Sequence, residues 1–292
     1  DWEMLSLNEN AVKILERHPH KIQWYSISSN PNAIKLLENR IEYEKTLKSQ
    51  EYNKILYEEK INWERLSANP NAIDLLEKNK KKINKLSILR NPNGIKLINK
   101  FEIVYSVLCE NPNAIHLLEN KINWFSLSRN PSAIHILEKN QDKIEWEYLS
   151  LNKNAIHLLE NNKAKIDWEM LSLNENAIEL LEEKIYYEQY IIRSNYSSEY
   201  LVNWKYLSSN PNAIKLLLDN KDKINWCWLS KNPNAIHILE KKQDKINWKY
   251  LSGNPNAIHL LTDNKDKIDW YWLSKNPSIF VEESNTDITH FD

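Results

Sequence analysis

The chain has 292 residues, with 39 Lys and Arg against 40 Asp and Glu and a formal net charge of −1. That balance argues against nucleic acid as the partner, because phosphate contacts need a basic stripe. Two Gly exclude Gly-rich phosphate loops, Cys109 and Cys227 are too few and too far apart for a disulfide framework, and no apolar run is long enough to span a membrane.

From Asp1 onward one motif recurs, and its fullest copy is Ile61-Asn62-Trp63, Leu66-Ser67, Asn69-Pro70-Asn71-Ala72-Ile73 and Leu75-Leu76-Glu77. Indexed by the Trp, units fall at Trp2, Trp24, Tyr43, Trp63, Lys85, Tyr105, Trp124, Trp146, Trp168, Tyr187, Trp204, Trp226, Trp248 and Trp270, and seven of the thirteen spacings are 22 residues. Self-similarity at this period signals a repeat array. The units at Tyr43 and Tyr187 lack Asn-Pro and are expected to be irregular, near residues 41–60 and 185–203. Residues 1–11 are identical to residues 167–177, which points to block duplication within the array.

Within a unit, Asn62 precedes Trp63, Leu66 and Ser67, which share one helical face at i, i+3 and i+4. A second helix is expected from Pro70 to about Lys78, with Asn69 as its cap, Pro70 at its first position and Ala72, Ile73, Leu75 and Leu76 on one face. Nine of the ten prolines stand in Asn-Pro. A leucine-rich repeat is excluded because the position two before the Leu holds Glu64, Glu147, Glu169, Lys205 or Lys249, where a strand needs an apolar residue. The expected fold is therefore all-α: an α-solenoid, a superhelical array of about fourteen short two-helix units over residues 1–280, followed by a cap and tail at 281–292. Helices this short are stable only through their neighbours. The expected structural core is Trp24, Trp63, Trp124, Trp146, Trp168, Trp204, Trp226, Trp248 and Trp270, and the expected helix caps are Asn30, Asn69, Asn91, Asn111, Asn130, Asn210, Asn232 and Asn254, with Asn276 in the same frame.

One slot of the second helix carries His116, His135, His157, His237 and His259, and elsewhere Lys35, Asp74, Lys96, Glu179 or Lys215. Units stacked about 10 Å apart hold neighbouring imidazoles too far apart to share a metal, so this slot reads as a solvated face and no metal is expected. The carboxylates Glu77, Glu119, Glu138, Glu160 and Glu240 are dispersed by the repeat, and no catalytic cluster stands out; neither an enzyme nor a cofactor is expected. The position two after the Trp is more informative. It reads Met4, Ser26, Lys45, Arg65, Ser87, Val107 and Ser126, and then Tyr148, Met170, Gln189, Tyr206, Trp228, Tyr250 and Trp272. It lies opposite the core face, so Tyr148, Met170, Tyr206, Trp228, Tyr250 and Trp272 are the candidate partner-binding residues; lateral packing between adjacent helices is the competing explanation.

The motif from Trp248 to Leu261 resembles the paralogous Asn-Pro-Asn-Ala-Ile repeat proteins encoded by amoeba-infecting giant viruses, and the likeness covers nearly the whole chain, departing at residues 43–58, 85–109 and 187–203. The resemblance implies origin and architecture. With it the expected function is a non-enzymatic scaffold binding a host or viral protein. The alternatives are a self-associating component of a virus particle or factory and, further off, a solenoid reading single-stranded RNA. A monomer is expected over an oligomer, located in the cytoplasm of an infected cell or in the virion. Asp1 falls inside a repeat, so the start of the chain says nothing about targeting.

Overall fold

The computed structural model describes residues 1–98, 103–118, 121–190 and 201–280. Every regular element among them is an α- or 3-10 helix. The unit at Trp63 shows the plan. Asn62 Oδ1 accepts from the Arg65 N–H at 2.7 Å and caps a first helix, Trp63–Ala68. Ser67 closes that helix by donating to the Trp63 carbonyl at 2.6 Å. Asn69-Pro70-Asn71 then forms a turn, and the second helix runs over Ile73–Lys78, three residues later than Asn-Pro predicts. A 3-10 turn, Lys80–Lys82, leads to the next unit.

The joints between units are polar and buried. Asn69 Oδ1 accepts from the Asn71 N–H at 3.0 Å and closes the turn instead of capping the second helix, whose N-cap is Ala72, while its amide crosses to the preceding unit and donates to the Ser28 and Asn30 carbonyls at 3.3 and 3.0 Å. Asn71 Nδ2 donates to the Pro31 carbonyl at 3.0 Å, and the Ser67 hydroxyl accepts from the N–H of Asn84, the cap of the following unit, at 2.9 Å. Each buried carbonyl that would otherwise be orphaned thus receives a donor. The same Asn-to-preceding-unit link recurs at Asn8, Asn30, Asn91, Asn111, Asn130, Asn152, Asn174, Asn210, Asn232, Asn254 and Asn276. Asn8, Asn152 and Asn174 do it without a following Pro, so the joint requires the Asn and not the Pro.

The ladder has no end. Asn8 in the first unit donates to the carbonyls of Ser274 and Asn276 in the last, at 3.1 and 3.0 Å, and Asn10 donates to the Pro277 carbonyl at 2.8 Å. Asn232 makes the same bonds to Ser208 and Asn210 at 3.1 and 2.8 Å. The superhelical array therefore returns on itself as a closed ring of twelve laddered units.

The units at Tyr43 and Tyr187 contribute no rung: the ladder passes directly from Asn69 to Asn30 and from Asn210 to Asn174. In both, the second helix of the preceding unit runs on as one 13-residue helix, Ile34–Thr46 and Ile178–Tyr190, and absorbs the Tyr. The two inserts share one device. Arg40 stacks over Trp24 and Tyr43 and pairs with Glu44, which accepts from the Ile61 N–H at 2.9 Å. Lys184 stacks over Trp168 and Tyr187 and pairs with Glu188, which accepts from the Val202 N–H at 3.1 Å. Burial pushes the Glu188 carboxyl above its ordinary range. The first insert follows the second laddered unit and the second follows the eighth, so they lie opposite each other in the ring. Residues 191–200 of the second degenerate stretch, and the tail at 281–292, lie outside the described residues.

The core consists of Leu, Ile and Ala, with Leu66, Ala72 and Leu76 fully buried in the unit at Trp63. The Trp residues assigned to it sit at its edge. Those from Trp24 to Trp248 are half-buried against the Leu and Ile side chains, while Trp270 is 58% exposed and is not a core residue. The cause is the following 3-10 turn, whose Lys stem covers the indole face: Lys143 over Trp124 at 5.2 Å, Lys165 over Trp146 at 4.6 Å and Lys267 over Trp248 at 4.5 Å.

Candidate functional site in the bore of the ring

First helices pack directly on the first helices of adjacent units, whereas second helices pack mainly within their own unit. In a closed array the more closely spaced row has the smaller radius, so the first helices face the ring axis. Twelve helices spaced about 8 to 10 Å apart, less half a helix diameter, leave a bore on the order of 20 Å across. Positions one and five after the Trp are exposed or half-buried and line it, while position two lies between neighbouring first helices, buried at Met4, Ser26, Ser87, Val107 and Ser126 and half-buried at Arg65 and through the second half of the ring.

All six stripe residues lie on this row and all are half-buried. Four of them come together. Tyr206 meets Trp228 edge to face at 5.5 Å between centroids, and Tyr250 meets Trp272 in the same way at 5.4 Å. Lys231 links the two pairs, with its ammonium 4.3 Å from the Trp228 ring, 4.1 Å from Tyr250 and 5.9 Å from Trp272. Lys205 lies over Trp228 at 5.0 Å, and Lys275 over Tyr271 and Trp272 at 4.3 and 5.1 Å. Tyr148 stands apart and stacks on Phe125 at 4.0 Å. Met170 lies in the unit that directly precedes that of Tyr206 in the ladder. Trp272 packs over Gly253, where a Cβ would come within 3.1 Å of its ring, and its indole N–H is shut from solvent with no acceptor.

The sequence reading missed the cations. Lys205, Lys231, Lys249 and Lys275 occupy the first and fifth positions after the Trp in the last four units, and none of positions one, two and five there holds a carboxylate. The signal lay in those two columns, beside the one that was read. Five of the other eight laddered units carry an acid at these positions, Glu3, Glu64, Glu110, Glu147 and Glu169, and those at Trp24, Lys85 and Trp124 do not.

The outer face carries a second ladder. Glu138 pairs with His157 at 2.8 Å and Glu240 with His259 at 2.7 Å, each Glu reaching the slot residue of the next unit. In the same frame Glu77 pairs with Lys96 and Glu182 with Lys215. Among the described residues no three His, Cys, Asp or Glu are grouped to hold a metal ion. Both cysteines are free thiols. Cys109 takes the place of the ladder Ser, accepts from the Asn123 N–H at 3.4 Å, and has its thiol pKa raised by burial. No described helix is long and apolar enough to cross a membrane. Comparison with protein-family models, curated proteins and solved structures returns no match for this chain.

Proposed function

We propose that the protein is a non-enzymatic ring scaffold that holds an acidic segment of a partner protein in its bore. One observation carries this reading: four consecutive units present aromatic rings and lysines together on one face with no carboxylate among them. Half-buried aromatics give a partner large contact area at low entropic cost, and the lysines supply the complementary charge. A bore on the order of 20 Å admits a helix of about 10 to 12 Å. The resemblance to giant-virus repeat proteins supports a host or viral protein as the partner and an infected cell or virion as the location.

Fluorescence anisotropy with a labelled Glu-Leu peptide, its Lys-Leu counterpart and an oligouridylate tests this. The acidic peptide should bind and weaken with salt, and Trp228→Ala with Lys231→Gln should abolish binding. The pairing of one aromatic with one Lys per unit favours single-stranded RNA as the second reading, since bases stack on aromatics while Lys neutralises phosphate. Tighter binding of the oligouridylate than of the acidic peptide would replace the first reading with the second. Self-association through free ends is disfavoured by the ladder, because Asn8 already occupies the carbonyls of the last unit.

A further inference from the structure

On the outer face, between the units at Trp204 and Trp226, lies a cavity of about 380 Å³ lined by Leu218, Lys221, Ile224, Trp226, His237, Ile238, Lys241 and Lys242. Its origin is a departure from the repeat. Leu218 stands where most other units carry a Glu, among them Glu38, Glu77, Glu138, Glu160, Glu182 and Glu240; Asn99 and Thr262 are the other departures ahead of the tail. In four units that Glu reaches the slot residue of the next unit: Glu77 to Lys96, Glu138 to His157, Glu182 to Lys215 and Glu240 to His259. Here the slot residue is His237, and the side chain opposite it is a Leu, 38% exposed. The substitution removes one negative charge and leaves an apolar floor of Leu218, Ile224, Ile238 and the Trp226 edge. Three lysines and one imidazole rim that floor, and no carboxylate lines it.

We propose that this cavity binds a small amphiphilic carboxylic acid. Its carboxylate takes the position the repeat gives to Glu, among His237, Lys221, Lys241 and Lys242, and its apolar body lies on Leu218, Ile224, Trp226 and Ile238. The volume and the mainly apolar lining with a few polar groups are those of small-molecule sites. Without the anion, four basic groups crowd an apolar hollow; with it, both the charge and the exposed apolar surface are satisfied. The site is independent of the bore.

The test is isothermal titration calorimetry of the whole chain with decanoate, below its micelle concentration, and with 1-decanol. Decanoate should saturate one site per chain, at least tenfold tighter than decanol. Leu218→Glu restores the residue found at this position in other units and should fold normally by circular dichroism, yet weaken decanoate at least tenfold. Lys241→Gln with Lys242→Gln should weaken it several-fold, and Trp228→Ala in the bore should leave it unchanged. The proposal is overturned by the absence of saturable decanoate binding, by equal affinity for decanol, or by equal affinity in both Leu218→Glu and the double Gln variant.

Discussion

The ring divides into two halves of six laddered units, one from Trp2 to Trp124 and the other from Trp146 to Trp270, each with its insert after the second unit. Their scaffolds are alike. Asn91 and Asn232 stand opposite each other and donate to the same pair of carbonyls in the preceding unit, at 2.9 and 2.9 Å and at 3.1 and 2.8 Å. Their first helices differ. Where the first half places Ser26, Arg65, Ser87, Val107 and Ser126, the second places Met170, Tyr206, Trp228, Tyr250 and Trp272. Ladder residues are held by a requirement common to all joints, while the residues two after the Trp vary without disturbing it. The difference separates the residues that build the ring from those free to diverge between its halves.

The largest expected effect tests the shared part. Asn91→Ala and Asn232→Ala each strip donors from two buried carbonyls and should each cost about 3 kcal/mol. Urea unfolding should show nearly equal losses, and a gap above about 1 kcal/mol would mean the halves are not equivalent scaffolds. Next comes the seam. Asn8 and Asn152 are opposite numbers, but only Asn8 bridges the first and last units. Asn8→Ala should cost about 2 kcal/mol and raise the radius of gyration in X-ray scattering, whereas Asn152→Ala should leave the radius unchanged. An unchanged radius in Asn8→Ala would argue that other contacts suffice to hold the seam.

The divergent part gives smaller stability effects and larger binding effects. Trp228→Ser installs the residue of the opposite unit, Ser87. It should cost about 1 to 2 kcal/mol of stability while lowering affinity for the acidic peptide at least tenfold. A stability loss matching that of Trp226→Ala, with binding intact, would make the stripe lateral packing alone. The smallest effects are expected at Trp272 and Cys109. Trp272→Phe keeps a ring over Gly253 and removes a buried donor without an acceptor, so thermal denaturation should show a change within about 0.5 kcal/mol of zero. Cys109→Ser restores the hydroxyl used at most other joints and should be equally mild.

Much of this was legible in the residues. The all-α array followed from the 3.6-residue spacing of Trp63, Leu66 and Ser67, and the first-helix caps from Asn62, Asn225 and Asp269, each of which accepts the expected N–H. The irregularity at Tyr43 followed from its missing Asn-Pro. The second helix starts late because Asn69-Pro70-Asn71 spends its polar groups on the preceding unit before the helix begins at Ile73. That inter-unit half of each asparagine's bonding was hidden, since a cap and a cross-link require the same residue type. Closure was hidden for a different reason. It needs about 30° of turn at each of twelve joints, and a repeat pattern records that a joint recurs without recording its angle. The bore lysines are invisible in a charge summed over the chain, whereas sorting it by face reveals four consecutive units that pair a Lys with an aromatic and carry no acid.

A ladder without a first or last rung has a consequence for chain connectivity. Every joint, the seam included, is made by the same side-chain amides reaching back to the same carbonyls, so the fold has no preferred origin. Circular permutation should therefore be tolerated: a short linker across the seam, with new termini opened in an exposed 3-10 turn such as Lys221–Lys223 or Lys265–Lys267, would leave all twelve joints in place.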